Sequence, residues 1–126
     1  MKNGDIGVIG KDDVVICISK SGQSIEIESL SNHIKNEGIQ LIGISCIKDS
    51  LLDKLSDMFI HTEIEREACH NNLAPTTSSS CHLAIGDAIA MTLQKIKGFS
   101  PSDFSNYHPS GNLGKKLSLK LNNLID

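Results

Sequence analysis

Aromatic residues are scarce in this sequence of 126 residues: tryptophan is absent, and the aromatic content is 3%. So few rings argue against a base-stacking platform for single-stranded nucleic acid. An excess of positive charge is also lacking, since the formal net charge is −3 and the basic residues are scattered. A duplex-binding surface needs a concentrated basic patch. The composition therefore predicts no nucleic acid partner.

Long apolar runs are missing as well. No segment approaches the ~20 apolar residues that a membrane-spanning helix needs, and the opening MKNGDIGVIG lacks the apolar stretch of a signal peptide. We therefore expect a cytoplasmic protein with no membrane partner. Four cysteines are spread through the chain, a pattern that suits reduced, mostly buried thiols better than a disulfide framework. They are Cys17, Cys46, Cys69 and Cys81.

Three segments have the composition of β-strands: Val14–Ser19, Gln40–Cys46 and Met58–Thr62. The first two are nearly continuous apolar runs, as expected of parallel strands with helices on both faces. Strands that alternate with helices indicate βαβ units. The sequence therefore predicts an α/β fold with a parallel sheet.

Helix signals lie between and after these strands. Ser24 as N-cap and Gly38 as C′ residue bound a helix of about thirteen residues, and a short helix is expected around Ser50–Leu55. The longest helix should run from about Ser79 to Lys97. Its expected apolar side consists of Leu83, Ile85, Ile89, Leu93 and Ile96.

Two long segments, Glu63–Ser78 and Phe99–Gly114, have no regular pattern and are expected to be irregular. Loops of this length inside a compact α/β domain are usually functional. Three strands are few for an open sheet with helices on both faces. We therefore expect the sheet to be incomplete, with an upstream βα unit missing.

The stretch ISKSGQS ends the first predicted strand in small and hydroxyl-bearing residues, Ser19, Ser21, Gly22 and Ser24. In open α/β sheets, ligands bind at the carboxyl ends of the strands, beside helix N-termini. Main-chain N–H groups and the helix dipole favour an anion there, and hydroxyls can donate to phosphate oxygens. A plain turn followed by a Ser24 cap is the alternative.

A second hydroxyl-rich loop, APTTSSS, precedes the longest helix and contains Thr76, Thr77, Ser78 and Ser79. Taken singly, it could be a helix cap with surplus serines. Two such loops in one small α/β chain favour a phosphorylated ligand. We expect them to converge on one anion site.

Three charged or titratable residues are candidates for chemistry, each with a plainer alternative. Glu26 lies in the first turn after the serine loop, where a carboxylate also suits the helix dipole. Glu67 follows the third strand in an acidic cluster, a pattern typical of a solvated face. His108, in NYHPSGNLG, could be a surface loop histidine.

Two Cys-His pairs, Cys69-His70 and Cys81-His82, raise the question of a metal site. Their spacing is not that of a zinc finger. We therefore expect no structural zinc and no other metal.

Four motifs resemble those of the sugar isomerase (SIS) domain: ISKSGQSIEI, REACHNNLAPTTSSS, AIGDAIA and GFSPSDFSNYHPSGNLGKKL. More narrowly, they are similar to arabinose-5-phosphate isomerases of the KpsF/GutQ type. The resemblance implies a flavodoxin-like αβα sandwich of three layers, with a phosphosugar held by the serine-rich loops. It also implies interconversion of ribulose 5-phosphate and arabinose 5-phosphate through an enediol, without a cofactor.

By position, the functional carboxylates of such enzymes fall on Glu26 and Glu67, and the functional histidine falls on His108. The resemblance therefore implies a catalytic role for all three, with Glu67 as the base. It also implies a homodimer or homotetramer. The alternative from another class is a non-catalytic phosphosugar-binding or regulatory module.

The sequence departs from this pattern in three ways. Members of the family carry an N-terminal portion with a functional lysine, which has no counterpart here, and Asn3 stands in place of a histidine. The 126 residues contain no counterpart of the paired CBS domains that often follow. We therefore expect residues 1–126 to form one SIS domain that is incomplete at its N-terminus, with weak or no isomerase activity alone.

Overall fold

The computed structural model describes residues 4–108, 111–112 and 115–116. Strands and helices alternate through most of this chain. In order, they are a 3-10 helix Gly4–Val8, β1 Val14–Ser19, α1 Ile25–Asn36, β2 Gln40–Ser45, α2 Leu51–Leu55, β3 Met58–His61, α3 Thr77–Ile96 and α4 Pro101–Tyr107. The chain divides into two units within α3. The first ends at Ala84 and the second begins at Ile85.

The sheet has three parallel strands in the order β1-β2-β3. Val14 pairs with Gln40 at one end of β1, and Ile42 pairs with Met58 where β2 meets β3. Because all three strands run in one direction, their carboxyl ends share one edge of the sheet. The predicted α/β class and parallel sheet are confirmed, and each strand agrees with its prediction to within one residue.

The core lies between one face of the sheet and the helices α1 and α2. Alternate strand residues such as Cys17 and Leu41 point into this layer, where they meet Ile34 from α1 and Leu52 from α2. The spacing of Ile27, Leu30 and Ile34 places one apolar stripe of α1 on the sheet. Both Ile34 and Leu52 are fully buried.

Serine caps fix where the first two helices begin. Ser24 Oγ accepts a hydrogen bond from Ile27 N, and Ser50 Oγ accepts one from Asp53 N. Gly38 follows the C-cap residue of α1 and has a φ of +69°, a left-handed conformation that favours glycine. The predicted bounds of α1 and α2 are therefore confirmed to within a residue or two.

The expectation that both long segments are irregular is wrong in part. Helix α3 begins at Thr77, inside the first segment, and the second segment contains α4, Pro101–Tyr107. Ser100 and Asp103 form a reciprocal capping box, and Pro101 occupies the first turn. These are standard helix-start signals, but the helix has too few apolar residues to show a helical period.

The opposite face of β1 carries exposed apolar side chains. Val14, Ile16 and Ile18 retain about half of their accessible surface. The expected apolar side of α3 is also largely exposed, since Leu83 and Ile96 keep 69% and 75% of their accessible surface. Within the described residues, no helix is long and apolar enough to cross a membrane.

Self-association would bury such apolar surface, because exposed strands and apolar patches favour pairing with another copy. We expect light scattering at high micromolar concentration to give a mass above the 13.6 kDa of one chain. A mass of one chain at that concentration would contradict the homo-oligomer that the resemblance implies.

Gly43 provides a test of the packing between β2 and α2. A Cβ added there would lie 3.0 Å from Leu52 Cγ and 3.2 Å from Phe59 Cδ2, and closer still to Ser56 Oγ. We expect Gly43→Ala to lower the free energy of unfolding by about 1–3 kcal/mol in urea denaturation, the usual cost of overpacking. Gly7→Ala is the matched control, because its Cβ meets nothing within 4 Å. Equal effects of the two substitutions would contradict this packing.

Candidate functional site

Three polar segments follow the three strands at the shared carboxyl edge of the sheet. The first is the serine loop, residues 19–24, and the second is the turn of residues 46–50 that leads into α2. The third, residues 62–76, connects β3 to α3. This edge is where open α/β sheets bind their ligands.

The serine loop is held by its main chain against the neighbouring turn. Lys20 O accepts hydrogen bonds from Cys46 N and Ser45 Oγ, both at 3.0 Å. Gly22 O accepts one from Leu52 N at 2.9 Å. The loop backbone is therefore fixed before any ligand arrives.

Gly22 is required by this close approach. Its φ is +64°, and an added Cβ would lie 2.9 Å from Ser50 Cβ and 3.1 Å from Ser45 Oγ. Both the left-handed backbone and the lack of space exclude a larger residue. The glycine of ISKSGQS therefore sets the shape of the loop.

The three serines of the loop accept hydrogen bonds from main-chain N–H groups close by in sequence. Ser19 Oγ accepts from Gly22 N at 3.1 Å, and Ser21 Oγ accepts from Gln23 N at 3.3 Å. Ser24 caps α1 as described above. Because each hydroxyl acts here as an acceptor, its own hydrogen can still be donated to an anion.

Glu67 connects the serine loop to the start of α3. Its side chain is fully buried, and Oε1 lies 2.9 Å from Lys20 Nζ and 2.6 Å from Ser78 Oγ. Oε2 accepts from Thr76 N, Ser78 N and Thr76 Oγ1 at 2.9, 3.1 and 3.2 Å. One carboxylate thus brings the two predicted hydroxyl loops together.

These contacts keep Glu67 ionised. The Ser78 hydroxyl contributes most and Lys20 next, and with the N–H groups of Thr76 and Ser78 they hold the pKa of Glu67 far below its usual range, although burial opposes them. Glu63 and Glu65 are exposed. The expectation of a solvated acidic cluster therefore holds for Glu63 and Glu65 but not for Glu67.

The four predicted phosphate ligands of the second loop differ in what they contact. Thr76 and Ser78 direct their hydroxyls and N–H groups at Glu67. Thr77 is half-buried and Ser79 is exposed. A phosphate-binding role for these four stays a prediction.

The other two predicted catalytic residues lie on different elements. Glu26 is exposed in the first turn of α1, where its own backbone N–H and the Ser24 hydroxyl lower the pKa of its carboxyl. His108 is the C-cap residue of α4, with its ring centroid 4.6 Å from that of Phe104. His108 belongs to the second unit. The catalytic roles of both stay predictions.

Sequence reasoning missed two features of this edge. Lys20 was visible inside ISKSGQS, but only the fold reveals its partner. The Cys81-His82 pair suggests only a zinc ligand, yet His82 Nε2 lies 3.0 Å from Thr62 Oγ1 and 3.7 Å from Cys46 Sγ. Burial lowers the pKa of His82, whereas the charge of Glu67 raises it. Cys46 and Thr62 follow apolar strands and His82 lies on a distant helix, so the sequence gives no signal that the three side chains are in contact.

The SIS domain family matches residues 1–98 of this chain. An arabinose 5-phosphate isomerase KdsD of Francisella tularensis is 45% identical over 123 residues, which are 98% of this chain and 38% of that protein. An uncharacterized protein of Helicobacter pylori is 42% identical over 98% of this chain and 37% of its own length. The chain therefore spans well under half of these curated relatives.

Solved structures agree with the observed fold. The E. coli CFT073 protein c3406, solved in complex with arabinose 5-phosphate, gives a TM-score of 0.80 at 40% identity, covering 84% of this chain and 56% of that one. A sugar-phosphate isomerase, so named provisionally, from Listeria monocytogenes also gives 0.80, at 32% identity and similar coverage of 85% and 56%. The SIS-type fold expected from the motifs is thereby confirmed.

Acid titration tests the ionised state of Glu67. In the unfolded chain a glutamate takes up its proton near pH 4.3, whereas folded Glu67 stays ionised to a lower pH. Its contribution to stability is therefore complete above about pH 5 and is lost as the pH falls below that.

Between about pH 5 and pH 3, the unfolding free energy of Glu67→Gln should fall less steeply with pH than that of the wild type. The reason is that the variant lacks the uptake of up to about one proton that accompanies unfolding of the wild type. Urea denaturation at a series of pH values measures this slope. Glu63→Gln, which removes an exposed carboxylate from the same segment, should keep the wild-type slope. A wild-type slope in Glu67→Gln would contradict the ionised state.

Proposed function

The chain belongs to the SIS domain family, and we propose that it binds a sugar phosphate at the carboxyl edge of its sheet and acts as an aldose–ketose isomerase. The proposed reaction interconverts ribulose 5-phosphate and arabinose 5-phosphate. The observation that carries this proposal is the joining of two hydroxyl-rich loops on one buried carboxylate, Glu67. The c3406 neighbour, with arabinose 5-phosphate bound, supports the ligand class.

The serine loop suits the phosphate end of such a ligand. Its backbone is fixed, its three hydroxyls have hydrogens to donate, and α1 begins directly behind it. Hydrogen bonds from hydroxyls, together with the positive end of a helix, stabilise a dianion. We assign Ser19, Ser21, Gly22 and Ser24 to the phosphate, with the loop of residues 76–79 alongside.

Isomerisation then requires only the movement of protons. A base removes the proton from C2 of the aldose, which gives an enediol, and the same proton or one from solvent is added at C1 to give the ketose. The hydroxyl proton moves from O2 to O1. We propose Glu67 as the base and His108 as the group that opens the ring or carries the hydroxyl proton. Glu26 would assist from beside the serine loop.

The alternative is a non-catalytic phosphosugar-binding or regulatory module. One observation favours it: both oxygens of Glu67 already accept hydrogen bonds, and a carboxylate held so firmly as an anion is a weak base. The two functions share the same ligand site. They differ in whether a bound sugar loses a proton from carbon.

Deuterium exchange separates these functions, and it detects even slow chemistry. We expect the full chain, incubated with arabinose 5-phosphate in D₂O, to replace the proton on C2 with deuterium, because the proton that the base takes from C2 can exchange with solvent before it is returned. Proton NMR follows the loss of the C2 signal. Glu67→Gln should lower the rate by about 10²–10⁴, the usual contribution of a positioned base, and His108→Ala should lower turnover more than binding.

Glu63→Gln serves as the control, since that carboxylate is exposed in the same segment. It should exchange at the wild-type rate. Binding of arabinose 5-phosphate with neither exchange nor formation of ribulose 5-phosphate would contradict the isomerase and support the module. Failure to bind the sugar phosphate at all would contradict both.

A further inference from the structure

The ion pair between Lys20 and Glu67 joins a fixed partner to a movable one. The Glu67 side chain is fully buried, whereas 42% of the Lys20 side chain is exposed. Four further contacts from Thr76 and Ser78 hold the carboxylate in place. The ammonium lies at the end of a flexible four-carbon stem. Of the two partners, only Lys20 can leave without opening the fold.

The main chain of Lys20 is anchored independently of its side chain. Its carbonyl oxygen accepts from Cys46 N and Ser45 Oγ. The side chain emerges between Ser19 and Ser21, whose hydroxyls we assign to the phosphate. A phosphate held by those hydroxyls would be a second anionic partner for the ammonium, beside Glu67.

We propose that Lys20 is a phosphate-binding residue, which transfers its ammonium from Glu67 to the phosphate of the incoming ligand and so releases Glu67 to act on the sugar. This inference rests on the proposed function. It adds a specificity-determining residue and a reason why the sugar must be phosphorylated.

The transfer is reasonable in electrostatic terms. A phosphate monoester carries nearly two negative charges near neutral pH, against one on a carboxylate, and charge-assisted hydrogen bonds to it are strong. Glu67 is not left unpaired when Lys20 departs, because the Ser78 and Thr76 donors remain. The usual penalty for a lone buried charge is thereby reduced.

Departure of Lys20 also changes Glu67 as a base. The ammonium is one of the main groups that lower the pKa of this carboxyl, so its loss raises the proton affinity of Oε1. Phosphate binding at one end of the ligand would therefore prepare the base at the other. A sugar without phosphate would leave the ion pair closed.

Calorimetric titration of the full chain with inorganic phosphate, and separately with arabinose 5-phosphate, tests the proposal at constant ionic strength. Lys20→Met removes the charge but keeps a similar unbranched shape. We expect it to lower the affinity for both ligands by about tenfold to a hundredfold. Lys20→Arg should restore most of the affinity. Lys35→Met is the matched control: it removes a lysine from the last turn of α1 and should bind like wild type.

A second comparison identifies the exchange itself. Glu67→Gln removes the competing carboxylate, so it should bind inorganic phosphate more tightly than wild type, and this gain should vanish when Lys20→Met is added. If Lys20 had only a structural role, Glu67→Gln would bind inorganic phosphate no more tightly than the wild type. Should circular dichroism show that Glu67→Gln is unfolded, the contrast between Lys20→Met and Lys20→Arg decides the question.

The outcomes separate this inference from the proposed function. Equal phosphate affinity of wild type and Lys20→Met would overturn the role of Lys20 and leave the sugar phosphate site intact. Absence of binding by the wild type to either ligand would overturn both. Weaker binding in Lys20→Met, with rescue by Lys20→Arg, supports both.

Discussion

A buried carboxylate must be surrounded by donors, and this requirement organises the carboxyl edge of the sheet. Glu67 has no exposed surface, and an unpaired charge there would be costly. The chain meets the requirement with one ammonium, two hydroxyls and two main-chain N–H groups. These donors come from two loops that are far apart in sequence. Satisfying Glu67 therefore brings the loops together.

The apolar core and the polar edge have separate tasks. Between the sheet and its covering helices, Cys17, Ile34, Leu41 and Leu52 provide burial. At the carboxyl edge, hydroxyls and main-chain groups replace apolar contacts, and the loop geometry depends on hydrogen bonds. Gly22 lies where the serine loop crosses Ser45 and Ser50. The core thus fixes the strand ends, and the hydrogen bonds of the polar edge fix the loops that follow them.

Local signals made much of the fold predictable. Apolar runs located the strands to within a residue, and Ser24, Gly38 and Ser50 marked helix ends. Helix α4 was missed because its signal is a capping box around Pro101 in place of an apolar period. The motifs indicated the SIS family, which the comparison over residues 1–98 confirms.

The site was predictable as a set of residues but not as a set of contacts. Resemblance alone singles out Glu67. Its burial and its pairing with Lys20 depend on segments 47 positions apart, and composition carries no information about a contact over that distance. The same holds for His82 and Thr62. The catalytic roles of Glu26, Glu67 and His108 remain predictions.

The anchoring of residue 20 by its carbonyl oxygen has an evolutionary consequence. Every amino acid offers the same carbonyl to Cys46 N and Ser45 Oγ, so these two anchors do not depend on which side chain stands at position 20. A single substitution can alter the local charge while these main-chain anchors remain. Position 20 is therefore one at which relatives, or a protein engineer, can change the charge at the carboxyl edge without rebuilding the main chain of the loop.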